Sequence, residues 1–141
     1  MPSKELVSTS SRLSSERSIA QGLWYWGPVA IYAGVIFYFS SLSFMPEQVS
    51  SLVEELSDKF LHFCEYAVLG ALMYRACRHA GGPRLSRSAL TWAIAVSVLY
   101  GFSDELHQYF VPLREADGLD LVADAFGAAF GAWSWHLVAR P

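Results

Sequence analysis

The sequence predicts an all-α protein: a four-transmembrane-helix bundle with a short amphipathic outer-surface helix between spans one and two. Three observations predict it. Of the 141 residues, 53% are hydrophobic and only 16% are charged, where soluble domains carry about 25% charged residues. Four segments reach the roughly 20 mostly apolar residues that a helix needs to cross a bilayer. Each of these is apolar around most of its circumference, whereas a helix of a soluble core keeps a polar face.

The first 22 residues, MPSKELVSTSSRLSSERSIAQG, are polar and rich in Ser. They are expected to form a mobile cytoplasmic tail, with residues 23–139 as the membrane domain. Span one is LWYWGPVAIYAGVIFYFSSL, residues 23–42. It is longer than a signal-peptide core and lacks an A-x-A exit, so no cleavage is expected. The following loop, MPEQVSSLVEELSD, places Val49, Leu52, Val53 and Leu56 at i, i+3, i+4 and i+7. That spacing predicts a short helix lying on the outer membrane surface or across the mouth of the bundle. Spans two, three and four are residues 60–77, 89–111 and 119–139.

Basic residues set the direction of the spans. Lys4, Arg12 and Arg17 precede span one, and Arg75, Arg78, Arg84 and Arg87 surround the turn between spans two and three. Arg140 follows span four, while Lys59 and Arg114 are the basic residues of the other two loops. Both termini are therefore expected on the cytoplasmic side of the membrane, with residues 43–58 and 112–118 outside. The net charge of −3 carries no nucleic-acid footprint. Cys64 and Cys77 are single cysteines thirteen positions apart. On one helix they are about 20 Å apart, too far for a disulfide. A homo-oligomer is left open.

The polar residues of the spans are not scattered. At 100° per residue, Asp58, Lys59, His62, Glu65 and Tyr66 share about 120° of arc on span two. Tyr100, Ser103, Asp104, His107 and Gln108 share about 140° on span three, with Glu105 at the edge of that face. Asp117, Asp120, Asp124, Gly127 and Gly131 share about 80° on span four. Glu65, Asp104 and Asp124 each fall about 7–11 Å below the outer rim at 1.5 Å per residue. Isolated charges at that depth are costly. The economical arrangement turns the three faces inward around one outward-facing pocket. Below it, Gly127 and Gly131 form a G-x-x-x-G that lets another helix approach closely.

Structural readings stand beside the functional one. Asp58 and Asp117 sit where helices are expected to begin and suit N-caps, with Asp120 completing a capping-box-like start. Lys59 can reach lipid headgroups, Glu105 can pair with Lys59 or Arg114, and His136 suits a satisfied interface histidine. Glu65, Asp104 and Asp124 lie too deep for such roles. A buried ion-pair network and a ligand or catalytic site both account for them.

Two blocks resemble the VanZ-like family. DKFLHFCEYAVLG, residues 58–70, is similar to its first signature, and YGFSDELHQYFVPLREADGLDLVADAFGAAFG, residues 100–131, to its second. The resemblance covers about residues 24–139. Two positions depart from it: Pro112-Leu113-Arg114 stands where the family commonly has Pro-Gly-Arg, and Asp124 where it often has Asn. The resemblance implies a small multi-pass bacterial membrane protein of the cell envelope. Its name-giving member is associated with low-level resistance to teicoplanin, a lipoglycopeptide antibiotic, and the family implies no settled reaction.

Two chemistries fit the polar faces. In the first, His62, Asp104, His107, Asp120 and Asp124 supply ligands for a divalent cation, Zn²⁺, Mn²⁺ or Mg²⁺. A metal-assisted hydrolase or transferase of an amphiphilic envelope lipid or lipid-linked precursor then draws its acid–base groups from Glu65, Asp104, Glu105 and His107. Lys59, Tyr66, Gln108 and Arg114 hold the substrate's head. No H-x-x-x-H or H-E-x-x-H motif is present. In the second, the same residues bind an anionic headgroup or a partner membrane protein and cleave nothing.

Overall fold

The structure, a computed structural model, describes residues 3–42, 51–112 and 117–139, apart from the side chains of 3–15 and 51–57. Among these residues there are five helices and no strand: α1 (Ser3–Ser40), α2 (Ser51–Ala80), α3 (Gly82–Arg87), α4 (Ala89–Gln108) and α5 (Gly118–Val138). The all-α expectation holds.

Local chemistry accounts for the helix boundaries. α1 runs back to Ser3, through the polar stretch expected to be a tail. Nothing between Ser3 and Ala20 breaks a helix, since that stretch contains neither Gly nor Pro. α2 likewise begins at Ser51. The second half of the expected outer-surface helix is therefore the first part of α2, not a separate element; residues 43–50 lie outside the described residues. Asp58 stands in the third turn of α2, so its expected N-cap role does not apply. Asp117 does cap α5: its Oδ1 accepts the backbone N–H of Leu119 at 2.9 Å. Between α2 and α4 the chain turns through Gly82 at φ +70°, a left-handed conformation that glycine adopts freely. The short α3 that follows was not expected from the sequence.

α2 is the central helix, packed on α1, α4 and α5, with α5 its most extensive partner. Paired residues give the directions. Trp26 Nε1 bonds the Ala80 carbonyl at 3.4 Å, whereas the later residues Ile36, Phe39 and Ser40 line one cavity with the earlier Leu61 and His62, so α1 and α2 are antiparallel. Tyr100 Oη donates to the Ala33 carbonyl at 2.6 Å and His107 meets Ser41 at 3.0 Å, so α4 runs with α1. The pairs Lys59–Asp117 and Tyr74–His136 run α5 parallel to α2. The four long helices thus run up, down, up, down.

Close approach of α2 and α5 rests on glycines. A Cβ on Gly127 would meet the backbone of Phe63, one on Gly131 that of Ala67, and one on Gly70 that of Ala128. The expected G-x-x-x-G contact is therefore made, against α2. The core is built of Ala76, Ala93, Ala128 and Ala132 with Tyr66, Leu69 and Cys77. Large apolar side chains lie on the outside of every long helix: Ile31 on α1, Phe60 on α2, Leu99 on α4 and Phe126 on α5 are all exposed. One described segment, Glu16–Ser40, is long and apolar enough by itself to cross a membrane, and 11% of its apolar window is buried.

Candidate functional site: a buried histidine–carboxylate cluster

The upper half of the α2–α5 seam is ionic. Lys59 on α2 bonds Asp117 Oδ2 at 2.7 Å and Asp120 Oδ1 at 3.2 Å. One turn further in, His62 Nδ1 lies 3.0 Å from Asp124 Oδ1, and its Nε2 lies 4.0 Å from Asp120 Oδ2. The 120–124 spacing puts both carboxylates on one face of α5, and 59–62 puts their partners on the facing side of α2. His62, Asp120 and Asp124 are all buried, Asp124 fully. Lys59 is held above its ordinary pKa, chiefly by its hydrogen bond to Asp117, and Asp117 is held below its own by the same bond.

α4 closes the cluster. Glu105, expected at the edge of its helix face, is buried instead, and its Oε2 accepts the backbone N–H of Asp117 at 3.1 Å. It thereby anchors the start of α5, and it pairs with neither Lys59 nor, among the described residues, any other cation. Asp104 is buried and accepts from Gln108 Nε2 at 3.2 Å. Tyr66 is wholly buried beneath these acids. Gly101 makes room for them: a Cβ there would come within 3.0 Å of Asp124 Oδ2 and 3.1 Å of Tyr66. Sequence reasoning missed Gly101. Its place one turn before Asp104 and Glu105 was the available signal.

Several buried polar atoms have no hydrogen-bond partner: Asp124 Oδ2, Glu105 Oε1, Asp104 Oδ1, Tyr66 Oη and Ser40 Oγ. Such orphans are uncommon in a folded protein. Two of them, on Asp104 and Ser40, belong to residues lining a cavity of about 330 Å³ between α1, α2 and α4. Ile36, Phe39 and Leu61 form its apolar wall, and Asp58, His62, Glu65 and Gln108 complete its polar one. His62 stands between this cavity and the Asp120–Asp124 pair.

The inward-facing arcs therefore converge for Lys59, His62, Glu65, Tyr66, Asp104, Glu105, Gln108, Asp120 and Asp124. His107 does not join them. It stacks on Phe37 with ring centroids 4.5 Å apart and hydrogen-bonds Ser41, both toward α1. Ser103 is exposed and bonds the Tyr100 carbonyl of its own helix. Arg114 lies outside the described residues. At the opposite end, His136 is satisfied by Tyr74 Oη at 2.7 Å.

Among the described residues, two sets of side chains are compact enough to hold a cation: His62, Glu105 and Asp124, all buried, and Asp58, His62 and Asp120. Both use His62; neither includes Asp104 or His107, which the helical arcs had grouped with it. One nitrogen with two carboxylates suits Zn²⁺ or Mn²⁺ better than Mg²⁺.

Replacing Lys59 by Met leaves the buried Asp120 without its cation. Thermal unfolding of purified protein should show a loss of about 1–3 kcal/mol at neutral pH. The depressed Asp117 contributes above the ordinary carboxylate value, and that contribution fades as pH falls through its lower folded value. The raised Lys59 contributes below about pH 10.4 and loses this as pH rises through its folded value. The gap between wild type and variant should thus be widest between about pH 4 and pH 10; a gap that ignores pH would exclude the ionic origin.

A helical bundle with carboxylates and a histidine inside and aromatic side chains outside defines a class of protein built around a polar interior. The VanZ/LLP1 family model matches residues 8–139, and the chain belongs to that family. No curated protein and no solved structure matches the chain.

Proposed function

We propose that this chain is a multi-pass protein of the bacterial inner membrane whose outward-facing pocket binds the polar head of an amphiphilic envelope molecule. The family and the apolar Glu16–Ser40 segment support membrane residence. Exposed apolar side chains on the other three long helices, around a polar interior, support four spans. The directions of these helices alternate as four crossings require. The basic residues Arg75, Arg78, Arg84 and Arg87 lie at the end opposite the carboxylates, which supports a reading with both termini inside and the pocket outside. Cysteine labelling at Ser50 and Ser86, without the native cysteines, should mark Ser50 alone from outside; marking of Ser86 alone would invert the pocket.

The observation that carries the functional reading is the two-sided cavity: one apolar wall, and one polar wall holding buried, unpartnered oxygen atoms of Asp104 and Ser40. An amphiphile fits such a cavity with its head on the acids and its tail toward the bilayer. The composition of the wall narrows the head. Lys59 is bound to Asp117 and Asp120 and is not among the lining residues. The head is therefore one rich in hydroxyl or amine donors, or an anionic one bridged by a divalent cation at Asp58, His62 and Asp120, of which Asp58 and His62 line the cavity. Binding of a lipid-linked envelope precursor in this way would reduce the access of glycopeptides, a role in line with the teicoplanin association of the family's name-giving member. Purified protein should carry a divalent metal in elemental analysis or retain envelope lipids in mass spectrometry, and new lipid products would mark an enzyme. Protein free of both metal and retained lipid would overturn the reading.

A further inference from the structure

The opposite end of the bundle holds a second polar cavity, of about 410 Å³, where α2, α3, α4 and α5 meet. Its wall includes Arg78 from α2, Ser86 and Arg87 at the end of α3, Ser88 and Thr91 around the start of α4, and His136 from α5. No Asp or Glu contributes to it. This is the reverse of the carboxylate cluster, whose acids lie at the other end of the same helices. Neither Arg78 nor Arg87 forms an ion pair with a carboxylate among the described residues. The Arg78 guanidinium is instead steadied by a neutral group, donating from Nη1 to Ser86 Oγ at 2.8 Å. On the other side, His136 is fixed by Tyr74.

Two arginines from different helices, sharing one cavity wall with the hydroxyls of Ser86, Ser88 and Thr91, suit a tetrahedral oxyanion that offers several acceptors at once. Arginine recognises phosphate through paired, charge-assisted hydrogen bonds. Basic pockets between helices at the cytoplasmic face of membrane proteins suit acidic lipid heads. We propose that this pocket binds a phosphate group, carried either by the head of an anionic phospholipid or by a soluble phosphate. The inference does not depend on the function assigned to the carboxylate pocket, because the two share no lining residue, while its lipid source rests on the proposed topology.

The test uses the full chain purified in detergent, with binding read by native mass spectrometry and thermal shift. The probes are phosphatidylglycerol, diacylglycerol with the same tails, and inorganic phosphate. Phosphatidylglycerol should be retained and diacylglycerol should not. The double change Arg78→Gln with Arg87→Gln should weaken retention about tenfold or more, and Arg84→Gln, outside the cavity wall, should leave it unchanged. Stabilisation by inorganic phosphate alone identifies a soluble source, and retention of the lipid without it identifies a phospholipid head. Equal retention of diacylglycerol, no response to either phosphate probe, or unaltered binding in a folded double variant would overturn the proposal.

Discussion

Replacing Gly131 by Ala should destabilise the bundle by about 1–3 kcal/mol or more, the range for overpacking a tight core. Helix propensity works the other way, since alanine is favoured over glycine by about 1 kcal/mol within a helix. The steric effect should win because the added methyl meets the backbone of Ala67 rather than the end of a flexible side chain. α5 can make room only by moving off α2. That movement also draws Asp120 and Asp124 away from Lys59 and His62, so ionic contacts are lost along with packing. Gly34→Ala is the control: a Cβ there meets nothing within 4 Å, and its effect should be neutral or slightly stabilising. Thermal unfolding in detergent checks both. Equal stability of Gly131→Ala and wild type would mean that the α2–α5 seam is looser than described.

Asp104→Asn should abolish the proposed envelope function while the protein stays folded. Asn keeps the shape and an acceptor for Gln108, and it removes a charge from a side chain that is 3% exposed. One Asp104 oxygen has no partner, so the change breaks no hydrogen bond there. Thermal stability should therefore match wild type or exceed it, as when an unpaired buried charge at a functional site is removed. Retained lipid or metal, and any protection against a teicoplanin-type antibiotic in cells, should fall. If the network is purely structural, the same change unsettles the cluster and lowers stability by several kcal/mol. Measuring unfolding and function on one preparation separates the two. Asp124→Asn is the weaker test, because the family often has Asn at that place.

Much of this was legible in the residues alone. Helix periodicity placed His62 and Lys59 on one face of α2, and Asp117, Asp120 and Asp124 on one face of α5; the structure joins those two faces directly. The paired signatures pointed to the family that the match over residues 8–139 then showed. Misreadings came where the sequence lacks a marker. Ser51 to Lys59 contains no Gly or Pro, so α2 simply continues where a break was expected. Glu105 lay at the edge of an ideal arc, and the entry of α5 beside it turned that edge into interior.

The sequence by itself determined the all-α class, the family, the helix faces and the separation of acids from arginines along the bundle. Those properties depend on residue type and on the 3.6-residue period, which are local. Only the tertiary structure decided that Lys59 serves Asp117 and Asp120, that His107 turns to Phe37 and Ser41, and that Gly101 makes room for Asp124 beside Tyr66. A helical period fixes where a side chain points around its own axis. It does not fix how far a neighbouring helix is rotated or shifted, which here depends on how closely the backbones meet at Gly70, Gly127 and Gly131.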